Sequence, residues 1–248
     1  MPFGTSTYIL APLRHGGYYP RMSRTARAAV GGLCYHVLNR GNDRRTVFHK
    51  PADYDAFLRA ARHACDKVPM RVLAWCLMPN HFHLVLWPQG DLDLSRWMHR
   101  LTNTHVRRYQ RHYAGSGHVW QGRFKAFPIE QDEHLFAVLR YVERNALRAG
   151  LVARAEDWPY SSLYPAGAVP PLILDPGPVA RPAGWVDLVN TAASPAEEAA
   201  VRECLRRGRP YGGPAWTAET AARLGLAASL RPRGRPRKAR PADPPSLF

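Results

Sequence analysis

The segment from Met70 to Trp87 places the strongest constraint on how this chain can fold. Its sequence, MRVLAWCLMPNHFHLVLW, consists of two apolar stretches that flank Pro79-Asn80. Apolar runs of strand length on either side of a turn signal are typical of a β-hairpin. We therefore predict one strand on each side of the turn.

The patterns before and after this hairpin predict an α+β domain. A strand in LCYHVLNRGND ends in a Gly-Asn turn, and alternation indicates a strand in VWQGRFKAFPIE. Helical patterns occupy Pro51 to Cys65, Leu92 to Tyr113, and Asp132 to Arg148. The order βαββαβα predicts a ferredoxin-like antiparallel sheet with helices packed on it.

The composition predicts a folded protein with a polyanionic partner. Hydrophobic residues make up 46% of the 248 positions, so a buried core is expected. The 35 Lys and Arg against 19 Asp and Glu give a net charge of +16, and nucleic acid is the first candidate partner. The four cysteines lack paired spacing, which argues against disulfides or a zinc knuckle and fits a reducing cytoplasm. Neither a membrane span nor a signal peptide is indicated.

Changes in composition divide the chain into five segments. Residues 1–21 lack a regular period and are interpreted as an extension outside the folded domain, with a genuine N-terminal arm as the alternative. Residues 22–164 hold the α+β pattern. The later part of the chain contains 14 of the 23 prolines, so 165–193 is predicted to be a linker. A small helical segment over 194–228 and a basic disordered tail over 229–248 follow.

Two short helices are predicted in the segment 194–228. Ser194 to Glu197 has the spacing of a capping box, so a helix should begin there and end at Gly208. A second helix is expected around Ala218–Leu224. No clear recognition helix supports a full helix-turn-helix motif.

The sharpest local signal for chemistry is Asn80-His81-Phe82-His83. Residues two apart on a strand point to the same face, so His81 and His83 project together. Two imidazoles at this spacing can bind one divalent metal. A surface or stacking pair of histidines is the alternative, and the spacing alone does not decide between the two.

A second signal lies in LRYVERN, where Tyr141 precedes Asn145 by four residues. On a helix these two side chains are neighbours, one turn apart. They could face the sheet and keep their polar ends in a cleft. On the pattern alone, an aromatic residue at the core edge with its hydroxyl in water is the favoured interpretation of Tyr141.

Basic residues at regular spacing are candidates for contacts with a DNA backbone. One set recurs along the long second helix: Arg96, Arg100, Arg107 and Arg111. A second set shares one face of the VWQGRFKAF strand: Gln121, Arg123 and Lys125. For the helix, an ordinary solvated face is an equal alternative. The remaining histidines, including His36 and His105, are interpreted as surface or packing residues, and a role for His134 near the site is unsupported.

The C-terminal tail is a further candidate for DNA binding. Residues 201–248 hold eleven Lys and Arg against three Asp and Glu, a net charge of +8. The sequence Pro-Arg-Gly-Arg-Pro around Arg233 and Arg235 resembles the core of an AT-hook, in which both arginines enter a narrow minor groove. A generic basic tail with salt-dependent attraction is the alternative.

Taken together, five blocks of the sequence resemble the single-tyrosine HUH nucleases, and more narrowly the REP-associated tyrosine transposases. The blocks are CYHVLNRGNDRRTVF, WCLMPNHFHLVLWP, HVWQGRFKAF, YVERNALRAGLV and DWPYSSL. They span roughly residues 33–164 in the order of the family. One departure is Ala146, where many relatives have Pro, and we expect little effect on the chemistry.

The resemblance implies specific roles and partners. His81 and His83 match the paired metal ligands, Asn145 matches the third ligand, and Tyr141 matches the nucleophile. The implied cofactor is a divalent metal, Mg²⁺ or Mn²⁺. The implied reaction is cleavage and strand transfer of single-stranded DNA, at imperfect hairpins, through a 5′-phosphotyrosine. The implied location is the bacterial cytoplasm, in association with the nucleoid.

Two alternatives to this enzyme remain open at this point. The first is a noncatalytic protein that binds DNA hairpins for regulation or chromosome organisation. The second, weaker alternative is an RNA-binding ferredoxin-like module. The presence of all four candidate residues favours the enzyme, and the sequence leaves open whether the protein is a monomer or a dimer.

Overall fold

A four-stranded antiparallel sheet with the order β2-β3-β1-β4 lies at the centre of the fold. In the computed structural model, which describes residues 29–165 and 172–231, the strands are β1 Cys34–Arg40, β2 Met70–Met78, β3 His81–Pro88 and β4 Lys125–Ile129. The helices are α1 Pro51–Cys65, α2 Asp93–Tyr113, α3 Glu133–Glu143, α4 Asn145–Arg148, α5 Trp185–Asn190, α6 Pro195–Arg207, α7 Pro214–Arg223 and α8 Ala227–Leu230. The order β1-α1-β2-β3-α2-β4-α3 confirms the predicted α+β, ferredoxin-like fold class.

Two predicted features fall outside the part of the chain that the structure describes. These are the N-terminal extension over 1–21 and the AT-hook-like arginines Arg233 and Arg235. Among the helices that are described, none is both long and apolar enough to cross a membrane.

The sheet separates two apolar layers. Phe82 and Leu84 of β3 alternate with His83 and Val85, so the first pair faces α1 and α2 and the second pair faces α3. On the first layer, α2 buries the stripe that the sequence predicts: Leu94, Trp97, Met98 and Leu101. On the second layer, α3 contributes Leu135, Val138, Leu139 and Val142. The histidine pair therefore lies under α3.

The fourth strand is shorter than the sequence predicts. It begins at Lys125 rather than near Val119, because the preceding residues leave the sheet. Lys125 pairs with Leu38, whereas the Gln121 N–H donates to the Arg40 carbonyl. Residues 121–124 therefore lie opposite only residues 39–40 of β1, which makes this segment a β-bulge. Gly122 adopts a φ of 146° in this bulge, a conformation that favours glycine.

The predicted helix from Asp132 to Arg148 is divided in two at Arg144. This residue has a ψ of −3°, which ends α3 and starts α4. Its guanidinium donates to the carbonyls of Val189 and Asn190, at 3.0 and 2.5 Å. The break therefore coincides with a contact to a segment 45 residues further along the chain.

The described part of the predicted linker, residues 172–193, contains a helix in addition to irregular structure. It contains α5, whose Trp185 and Val189 are buried against α3. The following helix, α6, begins after Ser194, whose side chain accepts from the Glu197 N–H, as the capping pattern predicts. It ends at Gly208, whose φ is 68°.

A buried carboxylate attaches the segment around α5 to α3. Glu143 accepts hydrogen bonds from Trp185 Nε1 at 2.7 Å and Ser162 Oγ at 2.9 Å, and Arg181 lies 3.6 Å away. Burial raises the pKa of Glu143, and the Arg181 charge opposes this rise. The ionised carboxylate therefore depends on these three partners.

The Glu143→Ala variant should be strongly destabilised. It leaves Arg181 and the Trp185 N–H without their partner, and breaking such a pair costs on the order of 3–5 kcal/mol of the free energy of unfolding. Urea denaturation measures this loss. Arg202→Ala, which breaks an exposed pair with Glu198, is the control and should cost less than about 1 kcal/mol. Equal losses in the two variants would contradict the role of Glu143.

The stability of the protein should fall in mild acid, in part because of His105. This side chain is 2% exposed among Phe48, Phe57 and Trp120, and neither ring nitrogen has a hydrogen-bond partner in the described residues. Burial lowers the pKa of His105 to about 4, from 6.5. The unfolded chain then takes up a proton before the folded protein does, so stability is lost as pH falls from about 6.5 to about 4.

The His105→Leu variant tests this contribution. Leucine has a similar volume and no proton to take up, so the variant should lose less stability than the wild type over this pH range, by roughly 3 kcal/mol at most. Denaturant midpoints measured between pH 7 and pH 4.5 show how steeply the stability of each protein depends on pH. Parallel slopes would assign the acid sensitivity to other groups.

Candidate active site

The fold brings four of the predicted residues together between the sheet and α3. The Tyr141 ring meets the His83 ring edge-on, with 5.8 Å between centroids. The His81 and His83 rings are 5.1 Å apart, and the Asn145 side chain lies beside the His81 ring. Tyr141, His83 and Asn145 are all buried, and His81 is half-buried. The site is thus a small polar pocket within an apolar layer.

Hydrogen bonding leaves one nitrogen of His81 free to act as a ligand. The Nδ1 atom lies 2.6 Å from the Oδ1 of Asn80, which can only accept, so we assign the proton to Nδ1 and the lone pair to Nε2. Burial, reinforced by the charges of Arg40 and Arg148, lowers the pKa of His81 to about 4. The ring is therefore neutral at neutral pH, as a metal ligand must be.

His83 is held by a second histidine that the sequence interpretation placed among packing residues. His36 Nε2 lies 2.9 Å from His83 Nδ1, and the two rings stack at 5.1 Å with an angle of 22° between their planes. Burial lowers the pKa of His36 to about 3, and it lowers the pKa of His83 well below its usual value. When the His83 N–H donates to His36, its Nε2 is left as the free ligand atom.

These donors fit a divalent cation. Two neutral imidazoles and one amide oxygen add no negative charge to the site, so a bound cation would keep its full attraction for an anion. The Nδ2 atom of Asn145 is buried and has no hydrogen-bond partner in the described residues. Since Asn145 is a neutral amide beside His81, its oxygen is the natural third donor.

Two arginines that the sequence analysis did not single out flank the pocket. Arg40 ends β1 opposite His81, and Arg148 follows Tyr141 by two helical turns. The Nη2 of Arg148 lies 3.3 Å from the Tyr141 hydroxyl, and its guanidinium carbon lies 4.6 Å from the ring centroid. The spacing of seven residues was the available signal for Arg148. Together the two charges make the pocket suited to a phosphate group.

The predicted DNA contacts lie in two separate places. Lys125 is exposed on the α3 side of the sheet, in the same cross-strand row as His83, with Leu38 between them. Gln121 and Arg123 are exposed in the adjacent bulge. The helical set lies on the other layer, away from the histidines: Arg96, Arg100, Arg107 and Arg111 are all exposed on α2. Three of these line a groove of about 680 Å³ between α1 and α2.

A different cluster also has the distances of a metal site. Ligand atoms of Glu130, Asp132 and His134 lie within 4.8 Å of one another. They follow β4 at the end of the sheet opposite His81, since Ile129 pairs with Cys34. His134 Nδ1 already bonds Asp132 at 2.9 Å, and Glu130 accepts from the Gly213 N–H at 2.7 Å. The members of this cluster therefore already have hydrogen-bond partners within the protein.

Comparison with known proteins places this arrangement in a family. Residues 29–145 match the family model described as Transposase IS200 like. A Haemophilus influenzae protein, provisionally named a REP-associated tyrosine transposase, is 31% identical over 124 residues, which are 45% of this chain and 70% of that protein. The chain belongs to the REP-associated tyrosine transposases.

Two further comparisons concern the same transposase family. The REP-associated tyrosine transposase of Escherichia coli (strain K12) is 31% identical over 110 residues, which are 42% of this chain and 62% of the relative. A solved structure of a REP-associated tyrosine transposase bound to a REP hairpin is 24% identical, with a TM-score of 0.48, and covers 65% of this chain and 100% of its own. Family membership makes this chain a transposase, an enzyme that acts on DNA.

Proposed function

We propose that this transposase is a metal-dependent endonuclease and strand transferase for single-stranded DNA, with Tyr141 as its nucleophile. The observation that carries the proposal is the convergence of Tyr141 with His81, His83 and Asn145 in one buried pocket. In this proposal His81, His83 and Asn145 would hold Mg²⁺ or Mn²⁺, which would polarise the scissile phosphate. The catalytic domain is residues 22–164, and the segments 165–193, 194–228 and 229–248 extend it.

The proposed step conserves the energy of the phosphodiester bond. The Tyr141 oxygen attacks phosphorus and forms a new P–O bond, while its proton passes to solvent water. The bond from phosphorus to the 3′ oxygen breaks, and that oxygen takes a proton from water. The products are a 5′-phosphotyrosine and a free 3′-hydroxyl. Attack on the phosphotyrosine by another 3′-hydroxyl reverses these bond changes, so strand transfer needs no ATP.

The proposed substrate is a repetitive DNA hairpin of the bacterial chromosome, in the cytoplasm. The names of the relatives associate them with REP sequences. The net charge of +16 supports a large phosphate contact. Lys125, Arg123 and Gln121 would hold the strand near the cut, because they are exposed beside the pocket. The α2 arginines would contact the backbone on the other layer.

Cleavage of one hairpin labelled at either end tests the proposal. With a 3′ label and Mn²⁺, the label should remain on the protein after denaturation, because the fragment on the 3′ side carries the 5′ phosphate. With a 5′ label, the label should appear on a free fragment that ends in a 3′-hydroxyl. Chelator should abolish both products. The opposite distribution of labels would exclude a 5′-phosphotyrosine.

Removal of residues 232–248 should weaken DNA binding without stopping cleavage. The deletion removes Arg233, Arg235 and the neighbouring basic residues, so fewer counterions are released and the dependence of affinity on salt should flatten. Titrations at several salt concentrations measure this slope. The Arg233→Ala, Arg235→Ala double variant separates the two interpretations of the tail, because an AT-hook loses its preference for A·T-rich DNA whereas a generic tail loses only part of its charge. An unchanged slope in the deletion would exclude the tail as a DNA contact.

A further inference from the structure

Arg148 occupies a distinctive position beside the proposed nucleophile. Its Nη2 lies 3.3 Å from the Tyr141 hydroxyl, and its guanidinium packs over the phenol ring at 4.6 Å. The side chain is about three-quarters buried, and its Nε is buried without a hydrogen-bond partner in the described residues. Its charge also contributes to the lowered pKa values of His81 and His83. One cation thus contacts both the hydroxyl and the ring of Tyr141.

The other arginines on this helical face have different contacts. Arg140 donates to the Thr191 carbonyl at 2.7 Å and pairs with Glu197 of α6 at 3.7 Å. Arg144 donates to two carbonyls at the end of α5. Both therefore attach the C-terminal helices to α3. Arg148 pairs with Glu198 of α6 at 4.0 Å, but its shorter polar contact is with Tyr141.

We propose that Arg148 is a further catalytic residue, an inference that rests on Tyr141 being the nucleophile. Arg148 donates a hydrogen bond to the phenolic oxygen as the proton leaves it and thereby stabilises the negative charge that develops there. Guanidinium keeps its own proton throughout, so Arg148 acts as a fixed positive charge and the phenol proton goes to water.

This assignment extends the active site beyond the part of the chain that matches the family model. The match ends at residue 145, whereas Arg148 lies in the last turn of α4. A structural role alone, with the guanidinium packed on the ring and paired with Glu198, is the competing explanation. The two explanations predict different losses when Arg148 is replaced. A structural role predicts lower stability, whereas a catalytic role predicts a slower covalent step.

Single-turnover formation of the covalent adduct distinguishes these explanations. We compare Arg148→Gln and Arg148→Lys with Arg140→Gln, a matched control that also loses a pair with α6 but does not contact the phenol oxygen. At saturating hairpin and Mn²⁺, Arg148→Gln should form the adduct roughly 10²–10³-fold more slowly than the wild type. Arg148→Lys should recover part of the rate, and Arg140→Gln should stay within about threefold of the wild type.

Binding and stability measurements complete the test. The hairpin and Mn²⁺ concentrations are raised for each variant until its adduct rate no longer increases, and the melting temperature of Arg148→Gln should match that of Arg140→Gln. Equal adduct rates in Arg148→Gln and Arg140→Gln would overturn the assignment while leaving Tyr141 as nucleophile. If the wild type forms no adduct, or if the adduct forms on another tyrosine, the proposed function fails and this inference falls with it.

Discussion

The Tyr141→Phe variant should form no covalent adduct with a hairpin substrate, even at long reaction times. The substitution removes the attacking oxygen and keeps the ring, which packs edge-on against His83. Its only polar contact in the described structure is the 3.3 Å bond from Arg148, so the free energy of unfolding should change by about 1 kcal/mol or less. Gel analysis under denaturing conditions measures the adduct, and hairpin and metal affinities should persist.

Three other tyrosines provide matched controls for this result. Tyr113 donates to Asp53 at 2.5 Å, the Tyr109 hydroxyl lies 3.1 Å from a nitrogen of His49, and Tyr160 stacks on Tyr54 at 3.7 Å. All three contact the α1 layer, on the other side of the sheet from the histidine pair. The corresponding Phe variants should form the adduct at close to the wild-type rate. An adduct that peptide mapping places on one of them would refute the assignment of Tyr141.

The His81→Ala, His83→Ala double variant should lose both metal binding and cleavage. Removing two of three proposed ligands leaves Asn145 alone, and one neutral amide cannot retain a divalent cation. Mn²⁺ titration followed by electron paramagnetic resonance reports binding without relying on activity. Because His83 is buried, the single His81→Ala variant guards against loss of the fold, and it should also bind Mn²⁺ at least about tenfold more weakly.

His134→Ala is the control for the second cluster of ligand atoms. It removes the only histidine of the Glu130, Asp132 and His134 group and leaves the proposed centre intact. Cleavage and Mn²⁺ affinity in this variant should match the wild type. If the double histidine variant still binds Mn²⁺ and His134→Ala does not, the metal site must be assigned to the other end of the sheet.

The elements that the sequence predicts well are those that local periodicity determines. The hairpin about Pro79-Asn80 and the buried stripe of α2 agree with the structure because each depends on neighbours a few residues apart. The bulge before Lys125 and the break at Arg144 cannot be predicted from the local periodicity of the sequence. They depend on pairing with β1 and on carbonyls of α5, which are distant in the sequence.

The residues of the candidate site also differ in whether a local sequence pattern or a distant partner reveals them. His81, His83, Tyr141 and Asn145 carry a spacing that is visible in the sequence, and the fold brings them together. The sequence interpretation missed His36 because its importance comes from a partner 47 residues away on β3. A lone histidine in an apolar strand has no local signal that separates a packing residue from one that orients another ring.

The buried contact between Glu143 and Trp185 has a practical consequence for the design of a shortened form of this transposase. Tyr141 shares its apolar layer with Trp185, Val189, Val201 and Cys204, all of which lie beyond residue 164. A fragment that stopped at 164 would expose the outer surface of α3 to water and leave the Glu143 carboxylate without two of its three partners. The shortest fragment that keeps α3 covered on both sides therefore extends through α6, to about Gly208.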